Sequence, residues 1–114
     1  PLTPKTTGII NSKTISQLQR GSYIVNAGRG QHVVDTCLLR ALDTGHLAGA
    51  ALDVFNEEPL PSQHPYWAHP KVSVWPHVSA QSNADSAAEQ VADAIGKVFS
   101  GRVPNNLVSR EQQY

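Results

Sequence analysis

The chain has 114 residues, which is enough for one domain with its own hydrophobic core. Its nine basic and nine acidic residues give a formal charge of zero, and the basic residues are spread singly, which argues against a nucleic-acid partner because phosphate binding needs a basic stripe. One cysteine excludes an intrachain disulfide and favours a reducing cytoplasm, while the lack of an apolar run of about 20 residues argues against a membrane partner.

The first third of the chain predicts a loop, a short helix and a strand. Residues 1 to 11 are rich in proline, glycine and asparagine, and because the chain opens with Pro1 we expect it to be a piece of a longer protein. The helix is predicted to have Ser12 as its N-cap and Ile15 and Leu18 facing inward. Residues 23 to 25 are predicted to form a buried parallel strand that ends in a tight loop.

A helix and a second strand are predicted next. The helix begins at Asp35 or Thr36, which would cap it, and ends before Gly45. Its predicted apolar stripe consists of leucines: Leu38, Leu39 and Leu42. Residues 50 to 54 read as the next strand, and a strand, a helix and a strand in this order form a right-handed crossover. The predicted fold class is therefore α/β with a parallel sheet.

The remainder predicts a long connection, a strand, a helix and a tail. Residues 59 to 70 are proline-rich and are expected to form a surface loop with one helical turn. Residues 72 to 75 resemble a third strand, halted by proline. Residues 84 to 99 carry the strongest helical periodicity in the sequence. Residues 101 to 114 predict an extended tail that must dock on something to be ordered.

Arg29 follows the first predicted strand, at the end of a parallel sheet where ligands lie. Gly28 and Gly30 on either side let the backbone approach a ligand, and a guanidinium can bind a carboxylate through two parallel hydrogen bonds. Taken alone, the segment is equally compatible with a loop arginine in a surface salt bridge.

Acidic residues follow the second predicted strand. Asp53 lies at its end, and a buried carboxylate there needs a partner. Glu58 lies in the loop beyond, and if it is close to a histidine it would favour the charged imidazolium. Glu57 and Glu58 are also compatible with a solvated acidic pair.

His77 follows Pro76 beyond the third predicted strand, where an imidazole can exchange a proton near neutral pH. The other histidines lack the spacing of zinc ligands, so we predict no metal site and interpret them as surface or loop residues: His32, His46, His64 and His69.

Several further motifs occur in order along nearly the whole chain. They are Pro1-Leu2-Thr3-Pro4 with Thr7-Gly8 and Asn11, then Asn26 to Gly30, Gly49 to Pro59, Pro65 with Trp67 and His69-Pro70, and Pro76-His77. Together they resemble the C-terminal part of NAD(P)-dependent D-2-hydroxyacid dehydrogenases. The glyoxylate and hydroxypyruvate reductase branch is the most similar, through Gly30 to Val34, Pro59-Leu60-Pro61, His64 to Trp67 and the ending Ser109 to Tyr114. Each motif is weak alone, but their order and spacing make the resemblance specific.

The resemblance implies a fold, an activity and a site. Residues 1 to 100 would be the C-terminal half of a Rossmann-like NAD(P)-binding domain, and residues 101 to 114 a tail that docks on a substrate domain lying outside this chain. The parent would be a homodimer that reduces glyoxylate, hydroxypyruvate or a similar 2-oxoacid to the D-2-hydroxyacid. Arg29 would bind the carboxylate and carbonyl oxygen of the substrate, His77 would exchange the proton, and Glu58 would orient His77.

The resemblance also implies which residues contact NAD or NADP. Asp53 would anchor the nicotinamide carboxamide, Ala27 and Gly28 would lie near the nicotinamide, and residues 2 to 4 near the adenosine half. At the position of Gly28 the family often holds alanine or another small residue. The complete implied set of cofactor-binding residues is Leu2, Thr3, Pro4, Ala27, Gly28, Arg29, Asp53 and His77.

One family feature is missing from the sequence. It has no Gly-x-Gly-x-x-Gly run to hold a pyrophosphate at a helix N-terminus, and no acidic residue after such a run to bind the ribose. We therefore expect this chain alone to bind NAD(P) poorly and to be inactive. The alternative function is a noncatalytic, nucleotide-responsive binding module of the corepressor type. The complete Arg29, Glu58 and His77 set favours the oxidoreductase, because sites rather than folds define function.

Overall fold

A three-stranded parallel sheet forms the centre of the first of two compact units. The computed structural model describes residues 1–112, and the units are Pro1–Ser79 and Ala80–Tyr114. The strands β1 (Ser22–Asn26), β2 (Leu47–Leu52) and β3 (Val72–Val74) lie side by side in that order. Their last residues pair with one another, Asn26 with Leu52 and Leu52 with Val74. The predicted parallel α/β sheet is thus confirmed, and the loops that follow the three strands leave it at the same edge.

Helices and short turns connect the strands. The chain contains α1 (Ser12–Ile15) before β1 and α2 (Asp35–Asp43) between β1 and β2, with 3₁₀ turns at Gly30–His32 and Pro65–Trp67. The second turn is the helical turn predicted within the proline-rich connection. The buried core of this unit consists of Ile15, Val33, Leu38, Ala41, Leu42, Leu47, Ala50, Leu52, Phe55 and Tyr66.

The helix caps differ from the prediction. Asn11, not Ser12, caps α1: its side-chain oxygen accepts from the amides of Lys13 and Thr14 at 3.0 and 3.3 Å, and the Thr14 hydroxyl accepts from the Asn11 amide. This helix ends after one turn, so Leu18 is 39% exposed and its predicted inward position was wrong.

The helix α2 begins at Asp35, within the predicted start, but its predicted cap was wrong. Val34 is its N-cap and provides no side-chain hydrogen bond, whereas Asp35 is the first helical residue. Asp35 does not cap the helix because its carboxylate accepts hydrogen bonds from the side chains of Tyr66 and Asn56 instead.

Only one side of β1 is buried, although the strand was predicted to be buried. Tyr23 and Val25 are 71% and 74% exposed. Side chains alternate between the two faces of a strand, and within the first unit α2 packs against one face of the sheet. The second strand begins at Leu47 and ends at Leu52, so Asp53 lies just beyond it.

The second unit contains the helix α3 (Ala84–Phe99), which confirms the helix predicted from periodicity. Asn83 caps it by accepting from the Ser86 amide at 3.0 Å. The large apolar side chains of its predicted inner face are exposed: Val91, Ile95, Val98 and Phe99.

Among residues 1–112, no helix combines the length and apolar character needed to cross a membrane. Tyr114, part of the ending that resembles the reductase branch, lies outside the described residues.

Candidate active site

Glu58 and His77, which lie beyond the ends of β2 and β3, are hydrogen-bonded to each other. Glu58 Oε2 lies 2.8 Å from His77 Nδ1, and Glu58 Oε1 accepts from the amide of Phe55 at 2.9 Å. The hydrogen bond with His77, followed by that with the Phe55 amide, holds the pKa of Glu58 below its usual value. Glu58 is therefore ionised at neutral pH, and Nε2 of the imidazole is the nitrogen that remains for proton exchange.

The backbone of His77 has an uncommon conformation. Its φ of +54° makes it the one non-glycine residue with positive φ among residues 1–112. That left-handed conformation costs an L-residue roughly 1–2 kcal/mol, so the surrounding contacts must maintain it. Asp53 supplies them: its two carboxylate oxygens accept from the amides of Val78 and Ser79, both at 2.9 Å.

Asp53 is buried, with 4% of its surface exposed. Burial acts to raise the pKa of this carboxyl, but the hydrogen bonds from the Ser79 and Val78 amides outweigh it and lower the pKa. The charged Asp53 carboxylate thus holds the backbone of the two residues that follow His77 in place. Each of its oxygens has a second lone pair, so the same group can still accept from a ligand.

Arg29 lies in the loop beyond β1, at the same sheet edge as Glu58 and His77. Its Nη1 donates to the Gly28 carbonyl at 2.7 Å, and among the described residues it takes part in no salt bridge. Its positive charge contributes, as the smallest of several causes, to the lowered pKa of Glu58. The buried Asn26 shapes the loop by donating to the Arg29 carbonyl and accepting from the Gly28 amide.

Gly30 brings the Arg29 loop against the Glu58 loop. It is buried, and a Cβ at this position would lie 1.9 Å from the carbonyl carbon of Phe55 and 2.0 Å from its oxygen. Backbone atoms cannot move aside as a flexible side chain can. The close approach of these two loops therefore depends on glycine at this position.

We expect Gly30→Ala to destabilise the full-length protein by about 3 kcal/mol, since overpacking against a rigid backbone forces the two loops apart. Denaturant unfolding measures this loss. The matched control is Gly28→Ala, where the nearest atom to a new Cβ is the His32 side chain at 3.3 Å, which can move. Equal stabilities for the two variants would contradict the required close approach.

The space beside Asp53 is large enough to hold a flat aromatic ring. A cavity of about 380 Å³ lies at the carboxyl ends of the strands. It is lined by Val25, Asn26, Ala27, Ala51, Asp53, Trp75, Val78 and Ser79. Small side chains leave room for a flat ring, and the Asp53 carboxylate offers an acceptor for an amide. Trp75 also borders a second, mainly apolar cavity of about 660 Å³ beside Glu58 and His77.

The predicted adenosine-side residues, 2 to 4, lie where a turn begins near the start of the chain. The Thr3 carbonyl accepts from the amides of Thr6 and Thr7 at 3.0 and 2.9 Å. The segment that follows runs beside the turn after Arg29, because Gly8 N donates to the Gln31 carbonyl at 2.8 Å. This places the start of the chain next to the Arg29 loop.

The remaining histidines form hydrogen bonds away from Glu58 and His77, and His32 Nε2 lies 3.3 Å from the Pro1 carbonyl. His46 Nε2 lies 2.9 Å from the Ile15 carbonyl, His64 caps the turn at Pro65–Trp67, and His69 Nε2 lies 3.3 Å from Asp43. Within the described part of the chain, no three His, Cys, Asp or Glu side chains are grouped as metal ligands would be.

A protein-family model matches more than half of the chain. The model described as "D-isomer specific 2-hydroxyacid dehydrogenase, NAD binding domain" matches residues 1–79. Similar curated proteins include two named glyoxylate/hydroxypyruvate reductase A. Those of Yersinia enterocolitica and Photorhabdus laumondii are 45% and 44% identical over 114 residues. Both alignments cover 100% of this chain but 36% of the relative, so the chain spans about a third of the length of these relatives.

Solved structures of 2-hydroxyacid dehydrogenases are also similar to this chain. A D-isomer specific 2-hydroxyacid dehydrogenase from Xanthobacter autotrophicus, in complex with NADPH and MES, superposes with a TM-score of 0.96 at 38% identity. That match covers 100% of this chain and 47% of the other. An NADPH-dependent glyoxylate/hydroxypyruvate reductase from Sinorhizobium meliloti, in complex with NADP and sulfate, gives 0.91 at 39% identity, covering 100% and 38%.

Proposed function

The chain belongs to the D-isomer specific 2-hydroxyacid dehydrogenase family, and we propose that it is part of an oxidoreductase that transfers a hydride between NAD(P)H and a small 2-oxoacid. The predicted family and the predicted Rossmann-like NAD(P)-binding fold are confirmed. The observation that carries the proposed activity is the 2.8 Å contact between His77 and Glu58, at the sheet edge that also holds Arg29. Glyoxylate, hydroxypyruvate or a similar oxoacid is the proposed substrate, and the D-2-hydroxyacid is the product.

Reduction of a 2-oxoacid adds a hydride at carbon and a proton at oxygen. NAD(P)H, when bound, supplies the hydride. We propose that Nε2 of His77 donates the proton while Glu58, on Nδ1, stabilises the imidazolium. Arg29 binds the substrate carboxylate through two parallel hydrogen bonds and polarises the carbonyl oxygen, where negative charge develops. In the reverse direction His77 accepts the proton.

The residues present fit one end of the cofactor. We propose that the nicotinamide lies against Ala27, Gly28 and Asp53, close to Arg29 and His77. The cavity lined by Ala27 and Asp53 supports this placement. Residues 2 to 4 would lie near the adenosine half. Another part of the full-length protein must hold the phosphates, so we expect this segment alone to bind NAD(P) poorly and to be inactive.

The remaining assignments concern the full-length protein. We propose that residues 1 to 100 are the C-terminal half of its dinucleotide-binding domain and that residues 101 to 114 dock on its substrate domain. We also propose a cytoplasmic homodimer without nucleic-acid or membrane partners. The single cysteine supports the cytoplasmic location, and the balanced charges, with basic residues spread singly, support the absence of a nucleic-acid partner.

We expect the full-length protein to consume NADPH or NADH when glyoxylate or hydroxypyruvate is added, which the loss of reduced-nucleotide absorbance measures. The segment of residues 1–114, assayed in parallel, should show little or no turnover. A full-length protein that binds the nucleotide but reduces no small 2-oxoacid would contradict the proposal. It would favour the nucleotide-responsive binding module instead.

A further inference from the structure

A polar cluster outside the candidate active site joins the Glu58 loop to the start of α2. The side-chain amide of Asn56 donates to Asp35 Oδ2 at 2.9 Å and to the Val33 carbonyl at 3.2 Å. The other oxygen of Asp35 accepts from the Tyr66 hydroxyl at 2.8 Å. The Asp35 carboxylate thus connects the start of α2 to two residues that lie 21 and 31 positions further along the chain, and both protons of the Asn56 amide are used.

Tyr66 and Asp35 make this cluster a rigid anchor. Tyr66 is 2% exposed, and burial together with the hydrogen bond to Asp35 raises its pKa far above the usual value, so the hydroxyl remains a donor. Asp35 is fixed in the first turn of a helix, where its negative charge is favourable. Asn56 is exposed, so its two hydrogen bonds rather than packing hold its side chain.

The anchored residue lies within the loop that presents Glu58. The Phe55 amide, directly before Asn56, donates to Glu58 Oε1 at 2.9 Å, and Glu58 Oε2 lies 2.8 Å from His77. A shift of residues 55 and 56 therefore displaces the carboxylate from the imidazole. Hydrogen bonds weaken steeply as their geometry degrades.

We propose that Asn56 is a positioning residue that acts through Glu58. Held on the Asp35 and Tyr66 anchor, Asn56 keeps the carboxylate within hydrogen-bond distance of His77. The inference rests on the proposed roles of Glu58 and His77. It adds residues that do not themselves touch the reacting groups.

The test measures kcat against pH for reduction by the full-length enzyme. Reduction takes up a proton from the enzyme, so kcat is expected to fall at high pH. The hydrogen bond that lowers the pKa of Glu58 also favours the charged imidazolium, so with Glu58 displaced in Asn56→Ala we expect that fall to occur at a lower pH, with the KM for the oxoacid little changed. The other charged groups around His77, Arg29 and Asp53, are the same in all variants.

Two further variants control for general effects on the loop and the anchor. Glu57→Gln changes a neighbouring exposed side chain to which no hydrogen bond is assigned among residues 1–112, and it should leave the profile unchanged. Tyr66→Phe removes one bond of the anchor and should shift the profile in the same direction as Asn56→Ala, by less. A Glu57→Gln shift equal to that of Asn56→Ala would overturn the proposal.

A double-mutant cycle with Glu58→Gln separates this inference from the proposed function. If Asn56 acts through Glu58, Asn56→Ala should cause no further shift in the Glu58→Gln background. Two results would overturn the inference about Asn56 but not the proposed function. One is that the shifts of the two substitutions are additive. The other is that Asn56→Ala leaves the profile unchanged while Glu58→Gln alone shifts it. An unchanged profile for Glu58→Gln itself would instead overturn the proposed role of Glu58.

Discussion

Replacing His77 by asparagine in the full-length enzyme is expected to lower kcat for 2-oxoacid reduction by about 100- to 10,000-fold, the usual contribution of a positioned general acid. Asparagine has no group that can donate a proton near neutral pH. It does, however, tolerate the left-handed backbone better than most residues, so the φ of +54° can be retained. The loss of activity should therefore report the chemistry of the imidazole rather than a rearranged loop.

Steady-state kinetics and unfolding measurements together check this prediction. His77→Asn should keep the free energy of unfolding of the native enzyme, whereas His77→Ala should also lose stability, because alanine disfavours positive φ. NADPH affinity, measured by titration, should fall much less than kcat. Turnover within a few-fold of the native rate would show that another group supplies the proton.

Much of the fold could be predicted because its signals are local. The apolar periodicity of α3, the glycine that ends α2 and the short β-rich run of β1 each lie within a few residues. The exposure of Tyr23 and Val25 could not be predicted, because burial of a sheet face depends on which elements pack there. The α2 cap was missed for the same reason, since the partners of Asp35 lie 21 and 31 residues away.

In the candidate site, too, some features could be predicted from the sequence and others could not. Arg29, Glu58 and His77 could be selected because each follows a predicted strand, and parallel strands end at one edge. No sequence pattern reveals that Asp53 fastens the amides after His77, or that Gly30 contacts the Phe55 backbone. These contacts join residues about 25 positions apart without periodicity, so only the folded chain shows them. Asn56 was missed because a polar residue in an exposed loop carries no signal of its own.

The largest effect on substrate binding is expected for Arg29→Ala, which should lower kcat/KM for the oxoacid by about 1,000-fold, as loss of a charge-stabilising donor does in other enzymes. If Arg29 contacts the substrate in both the ground state and the transition state, as we propose, the KM should rise and kcat should fall. The corresponding His77 variant lowers mainly kcat. This contrast, measured by steady-state kinetics, separates the residue that binds the anion from the one that transfers the proton.

Arg29→Lys shows whether the planar guanidinium or only its charge matters. Lysine keeps the positive charge but cannot form two parallel hydrogen bonds to a carboxylate, so we expect kcat/KM between those of the native enzyme and Arg29→Ala. Arg20→Ala is the matched control, because Arg20 lies before the amino end of β1 and contacts the Thr44 carbonyl. If Arg29→Lys retained native kinetics, the two-bond mode of carboxylate binding would be wrong. If Arg29→Ala did so, Arg29 would have no part in the site.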